Sequence, residues 1–243
     1  MKLVLFDIDG TLVWTDGAGR RAIQHALVEV FGATGPGDYR FDGKTDPQIV
    51  RDLMRFAGHE DDHIDARMQA VFDLYVQRLR AELQAPGYRP RVMPGVFALL
   101  DALESRPDVV LGLLTGNLAD GARAKLESVG IDPARFRVGA FGSDHEDRPL
   151  LPDIARRRFR ELLGVDVGGS SCVIIGDTPA DVTCGRAIGA RAIGVATGRY
   201  AADELLRHGA SAAFVDLSDT AAVLAEIITP SSATPSARSA SSC

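Results

Sequence analysis

The chain has 243 residues, enough for one large or two modest domains with a sizeable core. It is 46% hydrophobic and 25% charged, an ordinary balance for a soluble globular protein. The net charge of -6, from 27 basic and 33 acidic residues, excludes the electrostatic footprint of a nucleic-acid or anionic-membrane binder. Lysine is scarce: Lys2, Lys44 and Lys125 are the only ones, and the other basic residues are arginines. Cys172, Cys184 and Cys243 lack metal-ligand spacing and cannot all pair with one another, so a reducing cytoplasm is the expected setting. Asp7 and Asp9 interrupt the first apolar stretch too early for a signal peptide. No apolar run approaches the ~20 residues that span a bilayer.

The first element in chain order is the apolar run Lys2–Phe6, which reads as a buried strand. The stretch from Trp14 to Tyr88 then reads as helical throughout. Ile23, Leu27, Val30 and Phe31 form one stripe, and Ile49, Leu53 and Ala57 another. Ile64, Met68, Val71, Tyr75 and Leu79 form a longer one. An all-helical insert directly after a first strand reads as a cap. Its hinges are expected at Thr15–Gly19 and Ala85–Pro90.

Beyond the insert, strands and helices alternate. Val109–Leu114 and Cys172–Ile175 read as buried strands, with weaker candidates at Arg137–Phe141, Arg191–Ala196 and Ala212–Val215. Helical faces carry Val96, Leu99, Leu100 and Leu103, then Ala122, Leu126 and Val129, then Leu151 to Leu162. Gly130, Gly164 and Gly189 are placed to end helices. The alternation predicts an α/β fold: a three-layer, doubly wound parallel-sheet core, Rossmann-like in type. Residues 1–14 and 89–229 would form the core and 15–88 the cap. The Ser/Ala/Pro-rich residues 230–243 would be a disordered tail.

Three strand candidates end in residues suited to phosphoryl transfer. They are Asp7-Ile8-Asp9-Gly10-Thr11, Thr115-Gly116-Asn117, and Gly176-Asp177-Thr178-Pro179-Ala180-Asp181. Ligands of open parallel sheets bind beyond the carboxyl ends of the strands, so the three clusters should meet at one edge. One carboxylate of Asp7 and Asp9 can attack phosphorus while the other protonates the departing oxygen. Carboxylates facing a phosphate repel it, and Mg²⁺ suits the relief of that repulsion. Asp177 is the third-strand contributor to such a site. Thr115 offers a hydroxyl, and Gly116 and Asn117 offer backbone amides at a helix start. A lone Asp-x-Asp or Gly-Asp is commonplace in turns; the ordered placement of all three clusters behind apolar runs is not.

With these motifs the sequence resembles the haloacid dehalogenase superfamily, in particular its phosphoglycolate-phosphatase-like members with a helical cap after the first strand. The resemblance runs from Met1 to about Ile228 and is strongest in Asp7–Leu12 and Ile174–Asp181. It implies Mg²⁺-dependent hydrolysis of a small phosphorylated substrate through a phosphorylated Asp7, with Asp9 as acid and base. It implies Mg²⁺ on the Asp7 carboxylate, the Asp9 backbone carbonyl and Asp177. Asp181 would act behind them or through water. Thr115, Gly116 and Asn117 would hold the phosphoryl group.

The family's usual lysine before the last motif is missing. Asp147-Arg148-Pro149 stands there, and the role falls to Arg148; Lys125 is the alternative donor, on a helix face expected to be exposed. Gly43-Lys44-Thr45-Asp46 resembles a substrate-facing cap segment, which makes Lys44 a substrate-binding candidate with a solvated surface lysine as the other reading. Arg20 and Arg21 follow the first hinge and read either as cleft-facing or as helix-surface charges. The five histidines show no metal spacing and read as non-catalytic. Rivals on the same scaffold are a dehalogenase, a phosphomutase and a phosphonate hydrolase. Asp9 counts against the first. Gly19, at the place of the mutases' cap histidine, counts against the second. The third would need Lys44 as its Schiff-base lysine. A non-catalytic binding protein that keeps the fold is the remaining alternative.

Overall fold

The computed structural model describes residues 1–229; the tail expectation for residues 230–243 lies outside them. In chain order the strands are β1 (Lys2–Phe6), β2 (Val13–Trp14), β3 (Arg91–Val92), β4 (Val109–Leu114), β5 (Val138–Ala140), β6 (Cys172–Gly176), β7 (Arg191–Val195) and β8 (Ala212–Phe214). The helices are α1 (Ala18–Phe31), α2 (Asp46–Phe56), α3 (Asp61–Gln84), α4 (Val96–Glu104), α5 (Ala119–Ser128), α6 (Leu151–Leu163), α7 (Pro179–Cys184), α8 (Ala202–Arg207) and α9 (Thr220–Ile228).

Six strands form a parallel sheet in the order β5-β4-β1-β6-β7-β8. The central strands β1, β4 and β6 are buried on both faces, which is why they read as unbroken apolar runs. Side chains of β1 alternate between two cores. Val4 and Phe6 meet α4, α5 and α9 through Leu99, Leu126 and Val223. Leu3 and Leu5 meet α6 through Leu151, Ala155 and Phe159. The architecture is therefore the expected three-layer α/β core. The chain runs outward from β1 to β4 and β5, then returns to the other side for β6. That reversal leaves a crevice beyond the carboxyl ends of β1, β4 and β6.

The expected helical stripes of α1–α3 pack on one another. Ile23, Leu27, Leu53, Ile64, Val71, Tyr75 and Leu79 form a third apolar cluster, which also takes in Ala124 of α5 and Leu118 just before that helix. Ala57 is the exception and is exposed. The segments leaving for and returning from these helices pair as a short antiparallel ribbon, Val13 opposite Val92 and Trp14 opposite Arg91. Two-residue strands carry too little alternation to be legible in a sequence.

One helix end is corrected. The helix after Asp177 does not run to Gly189; α7 stops at Cys184 and a 3-10 turn, Arg186–Ile188, follows. A Cβ on Gly185 would lie 2.4 Å from Ile174 Cδ1, so the chain turns where it presses on β6. Among the described residues no helix is long and apolar enough to cross a membrane.

Candidate active site

The three motif loops meet at the carboxyl edge of the sheet. Asp7 follows β1 directly, and its N–H donates to Ile175 O at 2.9 Å, tying it to β6. The chain then curls: Leu12 and Val13 both donate to Ile8 O at 2.9 Å. Gly10 has φ +80, and a Cβ there would lie 2.4 Å from Asp177 Oδ2, so the turn needs a residue without one. The curl releases Asp9 from the strand geometry that would have kept it parallel to Asp7.

Asp7, Asp177 and Asp181 form a buried acidic cluster whose ligand atoms all lie within 4.8 Å of one another. Arg148 is buried with them. Its Nη2 donates to Asp7 Oδ1 at 3.1 Å and also to Asp181 Oδ1. Asp181 Oδ2 accepts from the Thr178 N–H at 3.0 Å and its hydroxyl at 2.6 Å, forming the capping box that starts α7. The Thr11 hydroxyl donates to Asp177 Oδ1 at 3.4 Å.

One guanidinium faces three carboxylates, so the cluster carries an uncompensated negative charge away from water. Burial, reinforced by Asp181, raises the Asp7 pKa to about 7. Burial, then Asp181 and Asp7, raises Asp177 well above the carboxylate range. Burial works against the Arg148 charge, but Asp181 and Asp7 outweigh it and its pKa lies above the ordinary arginine value. All-oxygen donors with a charge deficit at close range fit a hard divalent cation such as Mg²⁺. Arg148 Nε, buried, has no hydrogen-bond partner among the described residues, and the side chain lines the cavity described below.

The second motif loop is wired to Asp9. Asn117 Nδ2 donates to Thr115 Oγ1 at 2.7 Å and to Asp9 Oδ2 at 2.8 Å. Lys125 Nζ donates to Asp9 Oδ2 at 2.6 Å and to Asn117 Oδ1 at 2.5 Å. Lys125 is only 3% exposed, so the expected solvated face is wrong. Helix α5 is buried on two sides. Ala122 and Leu126 face the sheet. Gly121, Ala124 and Lys125 are covered from the α3 side, where Tyr75 and Leu79 lie next to Gly121. The small residues Gly121 and Ala124 were the signal of this second packed face. Asp9's carboxylate is thus engaged by Lys125 and Asn117 and stands outside the acidic cluster.

The helical layer closes over these loops. Asp46 N–H donates to Gly116 O at 2.7 Å, and the Asp46 carboxylate accepts from Leu118 N–H at 2.9 Å. The Tyr75 hydroxyl lies beside it, and burial pushes the Asp46 pKa up to about 6 despite the nearby Lys125 charge. A Cβ on Gly116 would stand 2.0 Å from Lys44 O, so the two backbones touch there. Asp46 and Tyr75 are not legible in the sequence as polar site residues, because an acid at a helix start and a tyrosine in an apolar stripe look structural.

Between helical layer and sheet lies a cavity of about 550 Å³, lined by Asp7, Asp9, Thr115, Asn117, Arg148 and Asp177 on one side. Trp14, Arg20, Ile23, Phe41, Lys44 and Tyr75 line the other. Lys44 reaches it already paired, donating to Asp52 Oδ2 at 2.9 Å and Tyr39 Oη at 2.6 Å. Arg20 faces the cavity, stacked 4.0 Å over Phe41 and donating to Tyr39 O at 2.8 Å. Arg21 instead pairs with Glu82 at 2.7 Å.

Comparison with known proteins agrees with this architecture. The phosphoglycolate phosphatase of Rhodospirillum rubrum is 31% identical over 224 residues, covering 88% of this chain and 87% of that protein. Glycerol-1-phosphate phosphohydrolase 2 of Saccharomyces cerevisiae is 27% identical over 211 residues, covering 81% of this chain and 75% of the yeast protein. The crystal structure of a hydrolase from Pseudomonas syringae superposes with a TM-score of 0.69 at 23% identity, covering 94% of this chain and 100% of its own. A family profile described as haloacid dehalogenase-like hydrolase matches residues 4–186, and the chain belongs to that family.

Proposed function

We propose that the protein hydrolyses small phosphate monoesters, with Asp7 as nucleophile and Asp9 as acid and base. The observation that carries this reading is the position of Asp7. It sits buried at the sheet edge, gripped by Arg148, with Asp9 separately held beside the same cavity. Asp7 would attack phosphorus to form an aspartyl-phosphate while Asp9 protonates the departing alcohol oxygen; Asp9 would then take a proton from the water that releases phosphate. Thr115, with the Gly116 and Asn117 backbone, would cradle the phosphoryl oxygens, and Arg148 would offset their charge.

Asp7, Asp177 and Asp181, with the Asp9 backbone carbonyl, would hold Mg²⁺, which supplies charge neutralisation at the phosphoryl group. Residues 15–88 would act as a cap that excludes bulk water. The cavity is of small-ligand size, which suits a phosphoglycolate- or sugar-phosphate-like substrate rather than a polymer. Lys44 would meet the far end of the substrate together with Arg20. The engagement of Lys44 by Asp52 and Tyr39 speaks against its use as a Schiff-base amine. The buried free thiols of Cys172 and Cys184 suit a reducing cytoplasm.

Turnover of p-nitrophenyl phosphate and a panel of natural monoesters, with and without Mg²⁺, tests the reading. Metal-dependent turnover of monoesters is expected. Absence of turnover on every phosphate in the panel would favour a non-catalytic binding protein.

A further inference from the structure

Lys125 is a buried ammonium whose two hydrogen-bond partners both belong to the motif loops. Burying such a charge is costly unless it is paired, and Lys125 is paired with Asp9 at 2.6 Å and Asn117 at 2.5 Å. The helical layer covers it: a Cβ on Gly19 of α1 would meet both Lys125 Nζ and the Tyr75 hydroxyl of α3. A surface ion pair would have served stability equally well without desolvation, so the placement asks for another account.

The account lies in the two oxygens of Asp9. Lys125 and Asn117 both donate to Oδ2. Among the described residues Oδ1 receives only a long contact from the Thr15 hydroxyl, 3.5 Å. The Asp9 side chain is 43% exposed toward the cavity, so an ungripped carboxylate there would rotate freely. Two donors on one oxygen orient the group and leave the other oxygen open.

We propose that Lys125 is the positioning residue for Asp9, clamping Oδ2 so that the proton passes through Oδ1 in both halves of the reaction. This rests on the phosphohydrolase reading above. In the first half Asp7 forms its bond to phosphorus, the bond from phosphorus to the ester oxygen breaks, and Oδ1–H gives its proton to that oxygen. In the second half a water oxygen bonds to phosphorus and Oδ1 takes the water's proton. The bond between Asp7 and phosphorus breaks, returning Asp7 as carboxylate and releasing inorganic phosphate. The clamp matters most in the second half, where water is a weak nucleophile. An activated leaving group needs little protonation in the first.

The same geometry explains Gly19. A Cβ there would stand 3.3 Å from Lys125 Nζ, close enough to shift the ammonium by a few tenths of an ångström. Position 19 therefore offers a second way to disturb the clamp without removing its charge.

The experiment uses the full chain with Mg²⁺ and p-nitrophenyl phosphate, comparing wild type, Lys125→Met and Gly19→Ala. Lys125→Met is expected to lower kcat roughly 10²-fold, the scale of acid–base assistance, with KM falling alongside it so that kcat/KM changes little. It should also show a pre-steady-state burst of nitrophenolate, as phosphorylated enzyme accumulates. Gly19→Ala should lower kcat several-fold while its melting temperature stays level or rises, because alanine favours the helix. A raised KM with unchanged kcat in Lys125→Met would make the lysine a substrate-anion contact and overturn the proposal. Unchanged kcat in a folded Lys125→Met would do so too, as would full activity in Gly19→Ala should Lys125→Met fail to fold. Failure of the underlying reading looks different: wild type would be inactive, or Asp7→Asn would remain active, and the proposal would fall with it.

Discussion

Arg148 donates to Asp7 Oδ1 at 3.1 Å, joining residues 141 positions apart, and the same nitrogen reaches Asp181. Removing it should cost both stability and activity. Arg148→Ala strands buried carboxylates without their cation, a loss on the order of 3–5 kcal/mol in metal-free protein by urea unfolding. Turnover should fall at least about 100-fold, the scale of one lost transition-state contact. Arg148→Lys should recover part of the stability and little of the activity, because an ammonium cannot reproduce the guanidinium's geometry. If Lys125→Ala proved more damaging to activity than Arg148→Ala, the charge-neutralising role would belong to Lys125.

Asp7→Asn should abolish turnover while leaving the metal-free protein at least as stable. Burial and Asp181 raise the Asp7 pKa to about 7, so its folded form binds a proton that the unfolded chain has lost. Its contribution to metal-free stability therefore falls as pH rises from about 4 to about 7, and the substitution removes that fall. Thermal melts across pH, beside turnover with Mg²⁺, check both halves; wild-type turnover in the purified variant would sink the mechanism.

Asp46 should produce a separate pH effect in the contact between helical layer and sheet. Its pKa, raised by burial to about 6, means that the folded state holds its proton longer than the unfolded one. Stability from this group declines between about pH 4 and 6. Asp46→Asn keeps an acceptor for Leu118 N–H and should flatten that part of the profile. Melting curves of the variant that retained the full wild-type slope would assign the decline elsewhere.

Mg²⁺ should stabilise the folded chain. A cation at about 100 times its dissociation constant adds roughly 2.7 kcal/mol by linkage. Asp177→Asn should lose most of that gain while melting normally without metal, since it removes one of three mutually repelling carboxylates. Calorimetric scans with and without EDTA measure both. An undiminished shift in the variant would place the metal elsewhere.

Gly116→Ala tests the contact between the two layers. Its Cβ would lie 2.0 Å from Lys44 O, so the segment carrying Lys44 and Asp46 must move away. Activity on small monoesters should drop by more than tenfold while far-UV circular dichroism is retained. Wild-type kinetics would show that close approach here is dispensable.

The sequence by itself determined the parallel core. Runs such as Lys2–Phe6 and Val109–Leu114 are apolar at every position that two-sided burial requires. It also determined that three polar clusters would meet, because each follows such a run and parallel strands share one carboxyl edge. The tertiary structure alone decided the partnerships within that meeting. Lys125 looked like an exposed helix residue because periodicity reports one buried face, whereas α5 is covered on two. Asp7 and Asp9 lie two positions apart and have different partners, Arg148 and Lys125, because the chain leaves the strand at Asp7 and curls through Ile8 and Asp9 into the Gly10 turn. Burial of a charge depends on what folds over it from distant parts of the chain, and local pattern carries no record of that.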